Sequence, residues 1–317
     1  MQLKPGSKLQ YGKYEIIRTL GWGDFGITYE VEHTVIHRRF AIKEFFRWYC
    51  NRDESTNEVK AQGSHYYRLL MKQFIMRSAM IAQMDHSHIV RIFDVFEENG
   101  TAYYVMEYLD GNSLRRPWHE SSRFPLTVAL NYIRQVGDAL SYMHGQNFLH
   151  FDVKPSKILV NKSGDAVLID FGFLGDKEDD DPEALSYYRL YPYQPLERRM
   201  ADIFTPATDV YSLGATLYTL LTGEVPPSAV DVIEEGLPPF PAGIPQPLQA
   251  AIVKAMSPRR KDRPQSIKEF MATLPYVVPE NLSFHEAFEA ARKELGPGGS
   301  FIWHGNVYST YRVEDLD

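Results

Sequence analysis

Cysteine is nearly absent, with Cys50 alone among 317 residues. One thiol excludes an internal disulfide framework and fits a reducing compartment. Long apolar runs are missing too: none approaches the ~20 residues that span a bilayer. The opening Met-Gln-Leu-Lys-Pro-Gly lacks the apolar core of a signal peptide. A cytoplasmic protein with no membrane segment is therefore the expectation. Positive charge is in deficit, 34 Lys and Arg against 41 Asp and Glu, a net charge of −7. That balance argues against non-specific nucleic-acid binding, so no nucleic-acid partner is expected. No internal repeat or low-complexity tract is present.

What the chain does have is material for a core. Hydrophobic residues make up 44% and aromatics 13%, and at this length roughly three quarters of the chain's surface is buried on folding. One domain of two lobes, or two small domains, is the natural organisation. Strand patterns cover residues 14–20, 27–31 and 39–43, with glycines in the first gap. Residues 50–64 are polar and read as a loop or insertion. Leu69, Leu70, Phe74, Ile75, Ile81 and Met84 recur at helical spacing over 66–84. Strands at 89–96 and 102–107 are joined by Glu97-Glu-Asn-Gly100, a hairpin signal. Beyond Gly111 helices dominate, at 126–144, 208–222, 245–256 and 264–273.

Two motifs carry chemistry. Phe148-Leu-His150-Phe151-Asp152-Val-Lys154-Pro-Ser-Lys157-Ile-Leu159 precedes Leu168-Ile-Asp170-Phe-Gly172, and together they resemble the catalytic loop and metal-binding motif of a protein kinase. Gly21-Trp-Gly23-Asp-Phe25-Gly26 lies between two strands. A helix would follow in a dinucleotide fold, so the strand favours a kinase's phosphate-covering loop. Tyr193-Gln-Pro-Leu-Glu197, Asp209-Val-Tyr-Ser-Leu-Gly214 and Arg263 continue the series in order. The chain is identified as resembling bacterial-type Ser/Thr protein kinases over roughly residues 14 to 274.

That resemblance implies an α+β, two-lobed kinase fold. It places a five-stranded N-lobe with one main helix at 14–107 and a helical C-lobe at 108–278; the residues beyond, 279–317, read by their own pattern as a helix-and-hairpin appendix. It implies ATP as ligand, with Mg²⁺ as one ion or dispensable, and a protein substrate or partner of unknown identity. Lys43 would reach the α- and β-phosphates, with Gly21, Gly23, Phe25 and Gly26 over the triphosphate and Phe25 capping the tip. Leu20, Ala41, Met106 and Leu159 would sandwich adenine, and backbone groups of Glu107 and Leu109 would hydrogen-bond it. Asp152 would be the base, Lys154 a phosphate contact and Asp170 the metal ligand.

Four departures bear on activity. Arg77 stands where a Glu should pair with Lys43, and two like charges at 4 Å repel by roughly 4 kcal/mol at an effective dielectric of 20. Either the helix swings out, or another acid such as Glu44 or Glu58 compensates. Lys157 replaces the Asn that would ligate a second magnesium. An ammonium only donates, so it cannot be a metal ligand; placed between Asp152 and Asp170 it would substitute a positive charge. Phe151 removes the Arg that answers a phosphorylated loop, which predicts independence from loop phosphorylation. Leu190 replaces a Thr that would bridge Asp152 and Lys154.

Three functions follow: a pseudokinase or impaired kinase acting as a nucleotide-responsive interaction module, an active atypical Ser/Thr kinase, or a scaffold whose cleft Lys157 and Arg77 close. His86-Ser-His88 reads as a turn rather than a metal site, His150 as a residue that orients the loop, and Cys50 as an incidental thiol. The acidic run Asp176–Glu183 reads as a solvated loop. In the tail, Phe284, Phe288, Ala291 and Leu295 share one helix face, and an aromatic hairpin is expected to turn at Gly305-Asn306. The tail is a structural appendix or a partner-binding or autoinhibitory module.

Overall fold

A computed structural model describes residues 2–23, 25–61, 64–115, 123–172, 191–200, 203–278 and 281–315. By internal contacts the chain forms two units. The first is mainly residues 1–112, and the second is mainly residues 113–160, 164–172 and 177–317.

In the first unit the strands are β1 (Lys8–Leu9), β2 (Tyr14–Gly23), β3 (Gly26–His33), β4 (Arg38–Phe45), β5 (Cys50–Arg52), β6 (Val59–Ala61), β7 (Ile92–Glu98) and β8 (Thr101–Glu107), and α1 spans Ser64–Ile81. The main sheet has six strands, ordered β1-β2-β3-β4-β8-β7. The five expected become six because Lys8 and Leu9 pair with Glu15 and Tyr14, a two-residue contact too short to show any alternation. The hairpin between β7 and β8 turns at Asn99-Gly100, both at positive φ, 53° and 69°. This is the geometry the Asn-Gly pair selects.

β4 is the central ribbon. Its residues Phe40 to Phe45 are all buried, so both of its faces are covered. Ala41 and Lys43 point to one face and Ile42 and Glu44 to the other, by the two-residue period of a strand. α1 covers the Lys43 face. Phe74 packs on Phe45 at 5.5 Å and on Tyr104 at 5.2 Å, and Tyr104 is the cross-strand partner of Lys43. Residues 50–61, expected as polar loop, instead form a second, two-stranded sheet, β5 against β6. Cys50 is buried there at 1% exposure, and burial raises its thiol pKa.

At the boundary lies β9 (Gly111–Ser113). The second unit then holds α2 (Leu126–Gly145), the β10 (Ile158–Asn161) and β11 (Ala166–Leu168) pair, α3 (Glu197–Met200), α4 (Pro206–Thr222), α5 (Ala229–Glu235), α6 (Gln246–Ala255) and α7 (Ile267–Thr273). α4 is buried nearly all round, the mark of a central helix. Its Gly214 lets α6 approach: a Cβ there would sit 2.7 Å from the Ala255 Cβ.

The tail belongs to the second unit. β12 (Tyr276–Val277) pairs in parallel with β13 (Ser300–Trp303), which forms a hairpin with β14 (Asn306–Ser309). Together with α8 (Phe284–Leu295), this pairing encloses Val278, Ala287, Ala291 and Phe301. Its strand pairing therefore starts at Tyr276, before residue 279. The hairpin turns one residue earlier than expected, at His304-Gly305, because Trp303 pairs with Asn306. Both turn residues have positive φ, 48° and 75°, as a two-residue turn of this kind requires.

Candidate active site

The second unit brings together the residues that carry the motif. α2 ends and the chain re-enters the core at Phe148, and the loop that follows is held from below by Asp209 at the start of α4. Asp209 is fully buried and accepts the amides of His150 and Phe151, each at 2.8 Å, and meets His144 Nε2 at 2.8 Å. Burial pushes this carboxyl upward, but the His144 hydrogen bond and charge, with His150 and the Phe151 amide, outweigh it and hold the pKa below its ordinary value. The clamp fixes a strained turn. Phe151 has φ 69°, a conformation that costs a bulky residue about 1–3 kcal/mol. Its ring packs on Phe204 at 5.2 Å, and the Arg198 guanidinium lies 4.6 Å over it. His150 orients the loop, since its Nδ1 accepts the Asp152 amide at 3.2 Å.

Above this base sits a charge cluster. Lys154 Nζ is 2.9 Å from Asp152 Oδ1. Lys157 Nζ donates to Asp170 Oδ2 at 2.6 Å and lies 3.7 Å from Asp152 Oδ2. The backbone of Lys157 is gripped on both sides: its amide donates to the Lys154 carbonyl at 2.9 Å, and its carbonyl accepts the Ile169 amide at 2.8 Å. The second bond ties it to the residue just before Asp170. Burial alone would lower the Lys157 pKa, but Asp170 and then Asp152 more than offset it, and the net shift is upward. Gly172 closes the arrangement, its amide on the His150 carbonyl at 2.9 Å. A Cβ there would crowd Phe151 and Asp152 Cβ at 3.1 and 3.2 Å, so any larger residue would press on the loop.

As a metal site the donors are few. A divalent cation held here would take Asp170 as its carboxylate, with Asp152 nearby, and where the family resemblance calls for an Asn oxygen there is an ammonium. These residues fit one divalent cation and do not fit a second. Asp152 Oδ2 is buried and accepts no hydrogen bond among the described residues, which suits an acceptor for an incoming proton.

The first unit holds its own share. Lys43 is buried at 3% exposure, and its neighbours on the same face include Ala41, paired across strands with Met106. Arg77 is buried at 6% on the turn of α1 after Phe74, the side facing the Lys43 surface. The helix has not swung off the sheet. Glu44 does not serve Lys43 either, because it points to the opposite face. There its carboxylate accepts the Tyr29 hydroxyl at 2.8 Å, the Tyr103 hydroxyl at 2.7 Å and the Arg52 guanidinium at 2.5 Å. Burial and the Glu44 charge hold both phenols well above their ordinary range, so they remain donors.

The glycine loop differs from expectation at its tip. Phe25 is buried at 7% with Arg47 over its ring at 5.2 Å, so it is packed inward instead of capping. Gly26 is demanded by packing: a Cβ would fall 1.8 Å from the Glu44 carbonyl oxygen. Gly21 and Gly23 lie on β2 beside exposed Trp22, and Leu20 is 38% exposed. The Glu107 amide donates to the Arg91 carbonyl at 3.0 Å, so it is engaged within the sheet. Leu109 follows the end of β8, and Leu159 pairs with Val167. Leu190 and the acidic run lie outside the described residues. His86 Nδ1 accepts the His88 amide at 3.1 Å, and no group of three or more metal-binding side chains occurs among the described residues.

Two features escaped sequence reasoning: the Arg52–Glu44 pair and the Arg198–Phe151–Phe204 stack. Neither has a spacing signal, since each joins residues from separate elements.

Known proteins resemble this chain over most of its length. The protein kinase domain model matches residues 14–289. The chain is 33% identical over 226 residues to the serine/threonine-protein kinase PknD of Mycobacterium tuberculosis, covering 71% of this chain and 32% of that protein. It is 29% identical over 278 residues to the serine/threonine-protein kinase PknB of Mycobacterium leprae, covering 83% and 42%. With PrkC of Bacillus subtilis it shares 28% over 216 residues, covering 68% and 31%. The chain thus spans about a third to two fifths of the curated relatives it matches. A solved structure described as the PpkA-294 apo form superposes with a TM-score of 0.72 at 25% identity, covering 86% of this chain and 99% of that one.

Proposed function

This chain belongs to the protein kinase family, and from that premise we propose that it binds ATP and works as a nucleotide-responsive interaction module with impaired phosphoryl transfer. The observation that carries this is the Lys157 ammonium on Asp170 at 2.6 Å. Phosphoryl transfer is catalysed by neutralising charge on the transferred group, which divalent ions on such carboxylates do far better than one ammonium. Asp170 is already engaged. The partner would be a protein.

A second reading, an active atypical Ser/Thr kinase, has its own support. Lys154 lies on Asp152 at 2.9 Å, the Asp209 clamp is complete, and Asp152 Oδ2 accepts no hydrogen bond among the described residues. In that case Asp152 acts as base, Lys43 and Lys154 hold phosphates, and Asp170 carries a single metal ion. The two separate on one pair of measurements, thermal stabilisation by ATP and transfer of labelled γ-phosphate to a generic protein acceptor. The module reading expects stabilisation of a few degrees and transfer no greater than in Asp152→Asn. Robust transfer abolished by Asp152→Asn with the melting point kept would establish the kinase. No stabilisation by ATP, with or without metal, would defeat both.

A further inference from the structure

Asp170 holds a cationic partner before any ligand arrives. Asp152 and Asp170 contribute two negative charges, and Lys154 and Lys157 contribute two positive ones, all within one salt-bridged cluster. An Asn at 157 would leave that cluster at −1 and add an oxygen ligand. Lys157 therefore changes two things together: it removes a donor and adds a positive charge that opposes a divalent cation.

Placement makes the ammonium a fixture of the site. Lys157 is 6% exposed. Its amide and carbonyl are bound within the loop and to the strand leading into Asp170, so the root of the side chain cannot drift from the carboxylate. Leaving would strand both a buried cation and Asp170 without this partner, which is costly in an interior. A cation that cannot diffuse away is equivalent to one held at high effective concentration.

We infer that Lys157 is a tethered cation filling the place of a second divalent ion, so that this site takes a nucleoside triphosphate with at most one metal and keeps much of its affinity with none. The inference rests on the nucleotide-binding reading above and adds to it the metal requirement.

The test uses AMP-PNP as the nucleotide probe on the full chain, with three proteins: wild type, Lys157→Asn and Lys157→Arg. Calorimetry gives AMP-PNP affinity in Mg²⁺ and in EDTA, and electron paramagnetic resonance counts Mn²⁺ bound at saturating AMP-PNP. Wild type and Lys157→Arg are expected to hold one Mn²⁺ and to lose less than about tenfold in affinity in EDTA. Lys157→Asn is expected to hold two and to lose more than about thirtyfold, a coupling within the usual range for linked sites. Circular dichroism confirms that the variants are folded, and Lys157→Arg separates charge from a general effect of substitution. Two Mn²⁺ on wild type, or equal EDTA sensitivity in wild type and Lys157→Asn, overturns the inference while leaving nucleotide binding intact. If wild type binds no AMP-PNP at all, the functional reading fails instead. The inference, which states how this site takes nucleotide, then falls with it, whereas the two outcomes above overturn the inference alone.

Discussion

Asp209 shows how one side chain sets a whole loop. Its carboxylate receives two consecutive amides and a histidine nitrogen, and these partners hold Phe151 in a conformation it would otherwise avoid. Because the folded-state pKa lies below the ordinary 3.8, the charged form is what folding favours. The contribution is thus fully present above that value and lost as pH falls through the folded-state value. Asp209→Asn should cost about 2–4 kcal/mol near neutrality. In urea unfolding the gap from wild type should hold steady from pH 7 to about 5 and narrow below about 4. A gap that widens on acidification would mean that the carboxyl is protonated in the native state. Lys157 and Asp152 were legible as chemistry from their place in a motif. That Lys157 contacts both carboxylates was legible only as an option, since a lysine's reach covers several partners.

At the scale of elements, the informative one is the β5–β6 hairpin. Its residues look polar and loop-like because only one residue of each three-residue strand, Cys50 and Val59, is buried. Arg52 on β5 is what docks it. The guanidinium donates to Glu44 and, at 2.7 Å, to the Asn57 carbonyl, while the Val59 amide reaches the Asn99 carbonyl at 2.8 Å. The hairpin is thereby fastened to the strand that carries Lys43. Removing Arg52 leaves Glu44, 0% exposed, with two phenols and without this counter-charge. Arg52→Met should therefore lower stability by about 3–4 kcal/mol, and Arg52→Met with Glu44→Gln should recover part of that loss. Chemical denaturation of the four proteins measures it. A double variant as unstable as the sum of its parents would show that the pair is not coupled.

Across the whole molecule, two units can be told apart, and the tail is part of the second. Its core is small and self-contained, and its links to the helical body include β12, which follows α7, and Arg134, whose guanidinium donates to the Pro275 carbonyl at 2.9 Å. A helix with a hairpin is marginal alone, so the tail should open before the body does. Phe301→Ala removes the centre of that core, and such a change costs about 3–5 kcal/mol where it is felt. The expected result is rapid proteolysis within 279–317 while the main melting transition stays in place. A fall of the main transition by several degrees would show that tail and body unfold together. Among the described residues no helix is long and apolar enough to cross a membrane.

Amino-acid order alone determined the family resemblance, the strand-then-helix succession and the residues of the loop, because these depend on local periodicity and on spacing along the chain. It also specified the glycines, although the reason for Gly26 is the close approach of the Glu44 carbonyl, which no spacing reveals. Tertiary structure decided which acid meets which base. Glu44, one residue from Lys43, faces away from it because neighbours on a strand point to opposite sides, and Arg52 claims it from another sheet. Lys157 meets Asp170 because a backbone hydrogen bond joins loop to strand, and electrostatic pairing is settled by distances of a few ångströms that only the folded chain defines.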